Sequence, residues 1–237
     1  MDGDKIMSLN EEIVALLKKE GCNIVGFADL RRISKEARQN FDYGILIALS
    51  YTKEAMQDNK NGLPQRYYSE FRSINKRLPE LAMLTSDYLV SRGYKALPKV
   101  QSMVVQDEDY RTVLPHKTVA TLAGIGWIGK CATLVTNEVG SALRLIVVLT
   151  NASLECGTPI TKSMCDSDCT ICADVCPGKA PLGGMWEIGV DRQMFFNAFA
   201  CRSAARTHAK LSLGIDETVC GLCISNCPFT KYGLGYE

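Results

Sequence analysis

The cysteines constrain this chain more than any other feature. Cys165 to Pro177 reads C-D-S-D-C-T-I-C-A-D-V-C-P, Cys220 to Pro228 reads C-G-L-C-I-S-N-C-P, and Cys201 stands alone between them. A cubane offers four iron corners, and short C-x-x-C loops let successive thiolates reach neighbouring corners while the last thiolate comes from far along the chain. In two-cluster ferredoxins the cysteine before proline serves the other cluster. The spacing therefore predicts two [4Fe–4S] clusters, one on Cys165, Cys169, Cys172 and Cys227, the other on Cys176, Cys201, Cys220 and Cys223. Cys165 and Cys169 are separated by three residues where the usual run has two, and a one-residue bulge near Ser167 would absorb the difference. Structural zinc also uses C-x-x-C pairs but gives no reason for two C-P endings. Disulfides need an oxidising compartment, and the opening M-D-G-D-K lacks the apolar run of a signal peptide.

Around these cysteines there is ample material for a core. Hydrophobic residues make up 46% of the 237 positions, and no apolar run reaches the length of a membrane span. A net charge of +1 gives no overall drive toward nucleic acid or anionic lipid. The expected setting is reducing and cytoplasmic.

Taken in order, Ser8 and Glu11 form a capping box for a helix that carries Ile13, Leu16 and Leu17 and stops at Gly21. Asn23 to Ala28 and Ile45 to Leu49 read as strands, the second buried on both faces, with a polar helix or turn over Arg31 to Asn40. Tyr51 to Gly62 reads as a loop. Tyr67 to Arg92 has helical periodicity closed by Gly93, and Pro79 should kink or split it. Extended segments are expected at Tyr94 to Leu97 and Met103 to Gln106, and a short helix over His116 to Ala123 behind Pro115. Leu143 to Leu149 is the strongest strand, and Asp191 to Ala205 reads as a helix presenting Cys201. The natural division is an α/β sheet domain over 1–151 and a cluster domain over 152–237.

Gly124, Gly126 and Gly129 make a formal G-x-G-x-x-G. A dinucleotide fingerprint must follow a strand and open a helix, whereas here it follows a helix and precedes the strand Ala132 to Thr136. A loop whose backbone closely approaches a ligand or another segment fits better. Trp127 reads equally as core. Cys22 and Cys131 read as small core residues, and Cys156 as a loop thiol.

A-G-I-G-W-I-G-K at Ala123 to Lys130, followed by a strand ending in L-T and the double cysteine groups, resembles epoxyqueuosine reductase and its relatives. I-L-I-A-L-S-Y at Ile45 to Tyr51 and Y-Y-S-E-F-R-S-I-N-K-R-L at Tyr67 to Leu78 are similar to the family's strand and following helix. The resemblance implies a flavin-reductase/nitroreductase-like α/β domain that cradles a corrinoid (cobalamin) beside a ferredoxin-like domain with two [4Fe–4S] clusters. It implies an external electron donor such as ferredoxin or flavodoxin, and a small-molecule or modified-nucleoside substrate. Full-length members carry further helical repeats that help grip tRNA, and these have no counterpart here, so tRNA is not the expected partner. The family's proton-donating acid falls at or beside Asp109; read by itself, the run Asp107, Glu108, Asp109 is a solvated charge run. His116 and Lys117 replace the family's E-R pair, and with Gly124, Gly126, Trp127, Gly129 and Lys130 are the candidate cofactor-binding residues. Read by itself, a lone His such as His116 is more often a structural residue, and Lys130 reads equally as a surface lysine.

Three functions compete on this reading. The first is a corrinoid-dependent reductase; the second is an electron-transfer protein that reduces a partner's corrinoid or flavin; the third is a flavin-binding iron–sulfur reductase. The scaffold alone does not separate them.

Overall fold

The computed structural model describes residues 7–237; the opening M-D-G-D-K lies outside them. Helix α1 (Leu9–Lys19) begins in the expected box, with the Ser8 hydroxyl accepting from the Glu11 amide and the Glu11 carboxylate accepting from the Ser8 amide. Gly21, at φ +82°, ends it: the Gly21 amide donates to the Lys18 carbonyl and the Cys22 amide to the Leu17 carbonyl.

Strands β1 (Ile24–Asp29) and β2 (Tyr43–Ser50) pair antiparallel, joined by the turns over Arg31 to Asn40. Tyr51 to Gly62 is not all loop. Thr52 accepts a hydrogen bond from the Ala55 amide and starts α2 (Lys53–Asp58), which buries Ala55 and Met56. Helix α3 (Gln65–Ser91) runs unbroken through Pro79. Proline removes one amide donor, but Leu78, Leu81 and Ala82 on either side are buried in the core. That burial, at about 1.5–3 kcal/mol per large apolar side chain, outweighs the lost hydrogen bond. After the short strand β3 (Ala96–Pro98), a 3₁₀ turn takes Gln101–Met103, so Met103 is not part of an extended segment.

Helix α4 (His116–Leu122) leads into a hairpin of β4 (Trp127–Ile128) and β5 (Leu134–Val135). The second strand is shorter than Ala132 to Thr136 because Ala132 turns at φ +59°. Strand β6 (Leu143–Thr150) completes an antiparallel sheet in the order β1-β2-β6-β3. Phe27 faces Ile45, Ile45 faces Val148 and Leu97 faces Leu149 across its ladders. Strands β2 and β6 are the centre, and their alternation feeds two cores. Ile45, Ile47, Ile146 and Val148 pack with Ile13, Leu17, Leu81 and Leu89 from α1 and α3. Leu46, Ala48, Val147 and Leu149 pack with Leu30 and with Val119 and Ala120 from α4.

The cysteine-rich part has one longer helix, α6 (Ala198–Leu213), and three short ones, α5 (Ile171–Asp174), α7 (Leu222–Ser225) and α8 (Pro228–Leu234). The helix expected from Asp191 starts only at Ala198, because Asp191 caps a separate 3₁₀ turn, Arg192–Met194, and Asn197 caps α6 through the Ala200 amide. This part joins the sheet by packing as well as by sequence: Ala209, Val219 and Tyr236 enter the α1–α3 core. Buried Asn59 donates to the Ser225 hydroxyl at 3.2 Å, and Asn226 donates to the Lys60 carbonyl at 2.9 Å, which fixes α7 against the end of α2. Among the described residues no helix is long and apolar enough to cross a membrane.

Candidate functional site

Cys165, Cys169, Cys172 and Cys227 line one cavity of about 670 Å³, whose walls also include Gly129, Lys130 and Cys131. Local chain geometry brings the first three together. A turn over Ser167 and Asp168 takes up the extra residue between Cys165 and Cys169, and α5 carries Cys172. Cys227 arrives from the other group as the cap of α8, with Pro228 at the first helical position. The thiols sense one another. Cys172 is raised by a hydrogen bond with Cys131, then by burial, then by Cys169 and Cys165. Cys227 is pushed up to about 11 by burial, with Cys131 and Cys165 adding to it.

The remaining thiols form a second neighbourhood. Cys201 is raised to about 11 by burial, then by Cys176 and Cys220. Cys223 rises through its hydrogen bond with Cys131, then burial, with Cys201 and Cys220 also contributing. The Cys176 sulfur accepts from the Ala180 amide at 3.4 Å. Among the described residues no group of three or more His, Cys, Asp or Glu is placed to hold a single metal ion. Eight soft thiols in two neighbourhoods, one of them around a cavity, are a donor set of the kind that holds iron–sulfur clusters.

Lys130 is neither exposed nor free. It is 4% exposed, and its Nζ donates to the carbonyls of Ser167 at 2.6 Å and Cys169 at 2.9 Å, holding the turn between two candidate ligands. Gly124 and Gly126 face the chain's own backbone: a Cβ at Gly124 would lie 2.5 Å from the Thr158 carbonyl oxygen, and one at Gly126 would strike the Val135 carbonyl. Gly129 does face the cavity, where a Cβ would lie 3.4 Å from Cys165 Sγ and 2.8 Å from Val135 Cγ2. The glycines thus let the hairpin close on its neighbours, and the strand–glycines–helix order of a dinucleotide site is absent from this segment. Trp127 is 1% exposed, edge-on to Phe229 at 4.9 Å, in a core with Ile128, Val135, Trp186 and Phe195.

His116 and Lys117 lie elsewhere. Both line a cavity of about 350 Å³ with Thr133, Ser141, Arg144 and Ile224, and Lys117 also borders a cavity of about 260 Å³ with Tyr110 and Arg192. His116 Nδ1 is 3.2 Å from the Leu145 carbonyl, which can only accept, so the neutral ring carries its proton there. Nε2 is buried without a hydrogen-bond partner. Burial lowers the ring's pKa, which keeps it neutral at pH 7. Lys117 Nζ donates to the Ala132 carbonyl at 2.7 Å, and burial, with Arg192 adding to it, lowers its pKa to about 8.

Asp109 stands on an outer turn. Its carboxylate accepts from Gln193 at 3.2 Å and lies 3.8 Å from Arg111, and its carbonyl accepts from Arg192. The structure therefore ties it to the 3₁₀ turn before α6. Cys131, read as a small core residue, is buried as expected, and it also lines the thiol cavity, a place its apolar flanks did not signal.

No protein-family model matches the chain. The backbone is shared with enzymes of known structure: a catabolic reductive dehalogenase in complex with 3-bromo-4-hydroxybenzoic acid superposes with a TM-score of 0.68 at 18% identity, over 93% of this chain and 31% of that one. An epoxyqueuosine reductase with a modified tRNA stem loop gives 0.60 at 23% identity, over 94% and 65%. The fold class is thus a mixed α/β one with an antiparallel sheet, common to these two kinds of reductase. In sequence, the chain is 31% identical over 189 residues to the epoxyqueuosine reductase of Atelocyanobacterium thalassa and 30% identical over 156 residues to that of Lactococcus garvieae. These matches support an epoxyqueuosine reductase-like family for this chain. They take in 79% and 61% of this chain but 58% and 41% of those relatives.

Proposed function

We propose that the chain is an iron–sulfur oxidoreductase of the epoxyqueuosine reductase type, with two [4Fe–4S] clusters and a corrinoid bound beside them. In this reading residues 1–151 form the corrinoid-binding domain, related to flavin reductases, and residues 152–237 the ferredoxin-like domain. The observation that carries it is the single cavity gathering Cys165, Cys169, Cys172 and Cys227 from both cysteine groups. Those four would hold one cluster, and Cys176, Cys201, Cys220 and Cys223 the other. The cavities beside His116 and Lys117, about 350 and 260 Å³, are smaller than a whole corrinoid, so these residues would meet only part of its edge, where the ammonium of Lys117 and the unpartnered Nε of Arg192 suit carboxamides.

A corrinoid held there would supply a low-potential cobalt centre for a two-electron reduction, with the proposed clusters as its electron source. The chain supplies the rest. Lys130 fixes the Cys165–Cys169 turn, His116 offers a neutral ring, and Lys117 keeps a proton at Nζ at neutral pH. Asp109, at or beside the place of the family's proton donor and held by Gln193 and Arg111, would be the candidate acid. The donor would be a low-potential protein such as ferredoxin or flavodoxin, and the substrate a modified nucleoside or a small molecule.

Anaerobic titration of iron-loaded protein with cob(II)alamin, followed by absorption and EPR, tests this. The expected result is about eight irons and eight sulfides per chain with a saturable shift to a base-off cobalt signal. An unchanged cobalt signal at high protein excess would overturn the corrinoid reading and leave an electron-transfer protein, with flavin the next ligand to titrate.

A further inference from the structure

The two cavities beside Lys117 are lobes of one cleft, because Thr112, Pro115 and Lys117 wall both. Among the described residues no carboxylate lines either lobe, yet Lys117 borders both, Arg192 the smaller and Arg144 the larger. All three cations are bound to neutral acceptors. Lys117 Nζ donates to the Ala132 carbonyl at 2.7 Å, and Arg192 donates to the Tyr110 carbonyl at 3.2 Å and to the Asp109 carbonyl. Arg144 donates to the side-chain carbonyl of Asn75 and lies 4.6 Å over the Phe71 ring. The Nε–H of Arg192 is buried without a hydrogen-bond partner. A further guanidinium, Arg202, lies 4.8 Å over the ring of Tyr110, which lines the smaller lobe. The carboxylates of the adjoining turns, Asp109 and Asp191, are engaged by Arg111 and Gln193, so Arg111 is the cation they neutralise.

Carbonyls orient a cation without cancelling its charge. The chain as a whole carries only +1, so this is a local excess. Cations held away from water without a counter-ion are costly to keep. A carboxylate or phosphate would cancel the charge and take the free N–H of Arg192 in a charge-assisted hydrogen bond. His116 adds no charge, since its ring is neutral. The carboxamides of a corrinoid edge are neutral acceptors too, and leave the excess standing. Lobes of about 350 and 260 Å³ suit a small molecule.

We propose that this cleft binds a small organic anion, its carboxylate or phosphate between Lys117 and Arg192, and that this anion is the substrate of the proposed reduction. Its role as substrate rests on the reductase reading; its binding does not.

The test is calorimetry on the anaerobic, iron-loaded full chain with benzoate and its neutral isostere benzamide. Benzoate should bind at least about tenfold more tightly. Lys117→Met and Arg192→Gln should each remove most of that preference. Equal affinities in the wild type, or no benzoate binding, would overturn the proposal, and that comparison needs no variant to fold. A preference that survives in both variants would overturn the location. The phosphate of a corrinoid's nucleotide loop is the other source of an anion. If cobalamin displaces benzoate where cobinamide, which lacks that phosphate, does not, the subsite belongs to the corrinoid and the substrate role is overturned. Wild-type protein without cubane signals or a base-off cobalt signal overturns the reductase reading while the benzoate preference stands, which separates that failure from this one.

Discussion

The sheet and the cysteine region are held by different forces. Strands β2 and β6 bury both faces, and Ile45, Leu46, Ile47, Ala48, Val147, Val148 and Leu149 are all fully out of solvent. Between Met164 and Leu211, by contrast, Leu182, Ile188, Met194, Phe199 and Leu211 are each more than half exposed. The helices there are brief apart from α6; Ala209, Val219 and Tyr236 reach into the α1–α3 core, and Trp186 and Phe195 pack on the β4–β5 hairpin. The sheet stabilises itself by apolar burial. The cysteine region buries less, and if its thiols hold the proposed clusters, part of its order would come from that binding, as in small metal domains where binding free energy is folding free energy.

The comparison breaks first at a thiol. Cys172→Ala should halve the iron from about eight to about four per chain. Hydrogen exchange should then show protection lost over 165–227 and kept in β2 and β6. Equal loss in both regions would mean that the sheet also depends on the clusters.

The converse experiment removes burial. Leu149→Ala should cost about 4 kcal/mol in urea unfolding of the anaerobic holoprotein, with the iron content of the folded protein unchanged. A cost under about 1 kcal/mol, below the range for such truncations, would mean that the sheet is not held by burial.

Lys117 sits on the border and adds a pH dependence. Its pKa is near 8 in the fold against an ordinary 10.5, so between those values the unfolded chain binds more protons and stability rises with pH. Below pH 8 the full cost of burying the charge is present, at most on the order of 3 kcal/mol. Lys117→Met should flatten the rise between pH 8 and 10.5, and an undiminished rise would place its origin in another group.

Lys130→Met should cost about 2 kcal/mol through the lost hydrogen bonds to Ser167 and Cys169. The effect should show as faster iron loss to a chelator, with β2 and β6 protected as before. Asp109→Asn should change stability by less than about 0.5 kcal/mol, since the side chain lies on an outer turn. If Asp109 is the proton donor, turnover should collapse while cob(II)alamin still binds.

The same contrast explains what was legible from residues alone. β2 and β6 announce themselves as apolar runs of strand length, and Ser8, Gly21 and Gly93 mark helix ends by chemistry that acts locally. The gathering of Cys165, Cys169, Cys172 and Cys227 at one cavity was legible in their spacing. Tertiary contacts decided the rest. Pro79 does not break α3, because the burial of Leu78, Leu81 and Ala82 overrides a local rule. Thr52 starts α2 with a cap that a polar, glycine-bearing stretch concealed. Gly126 is glycine because of Val135, nine positions on, and Cys131 lines the cavity of Cys165, Cys169, Cys172 and Cys227, which no spacing rule connects.

Helix α3 has a mechanical consequence. At 27 residues it is about 40 Å long. Near its start Tyr68 and Arg72 bind Glu217, close to Cys220, and near its end Tyr88 and Arg92 bind Glu12 of α1. It is a beam pinned at both ends, with the sheet packed along it. Regions joined only by a linker swing relative to each other by default; a beam with such anchors removes that freedom. Whatever passes between the thiols and the sheet therefore crosses a gap set by the backbone, not one found by diffusion.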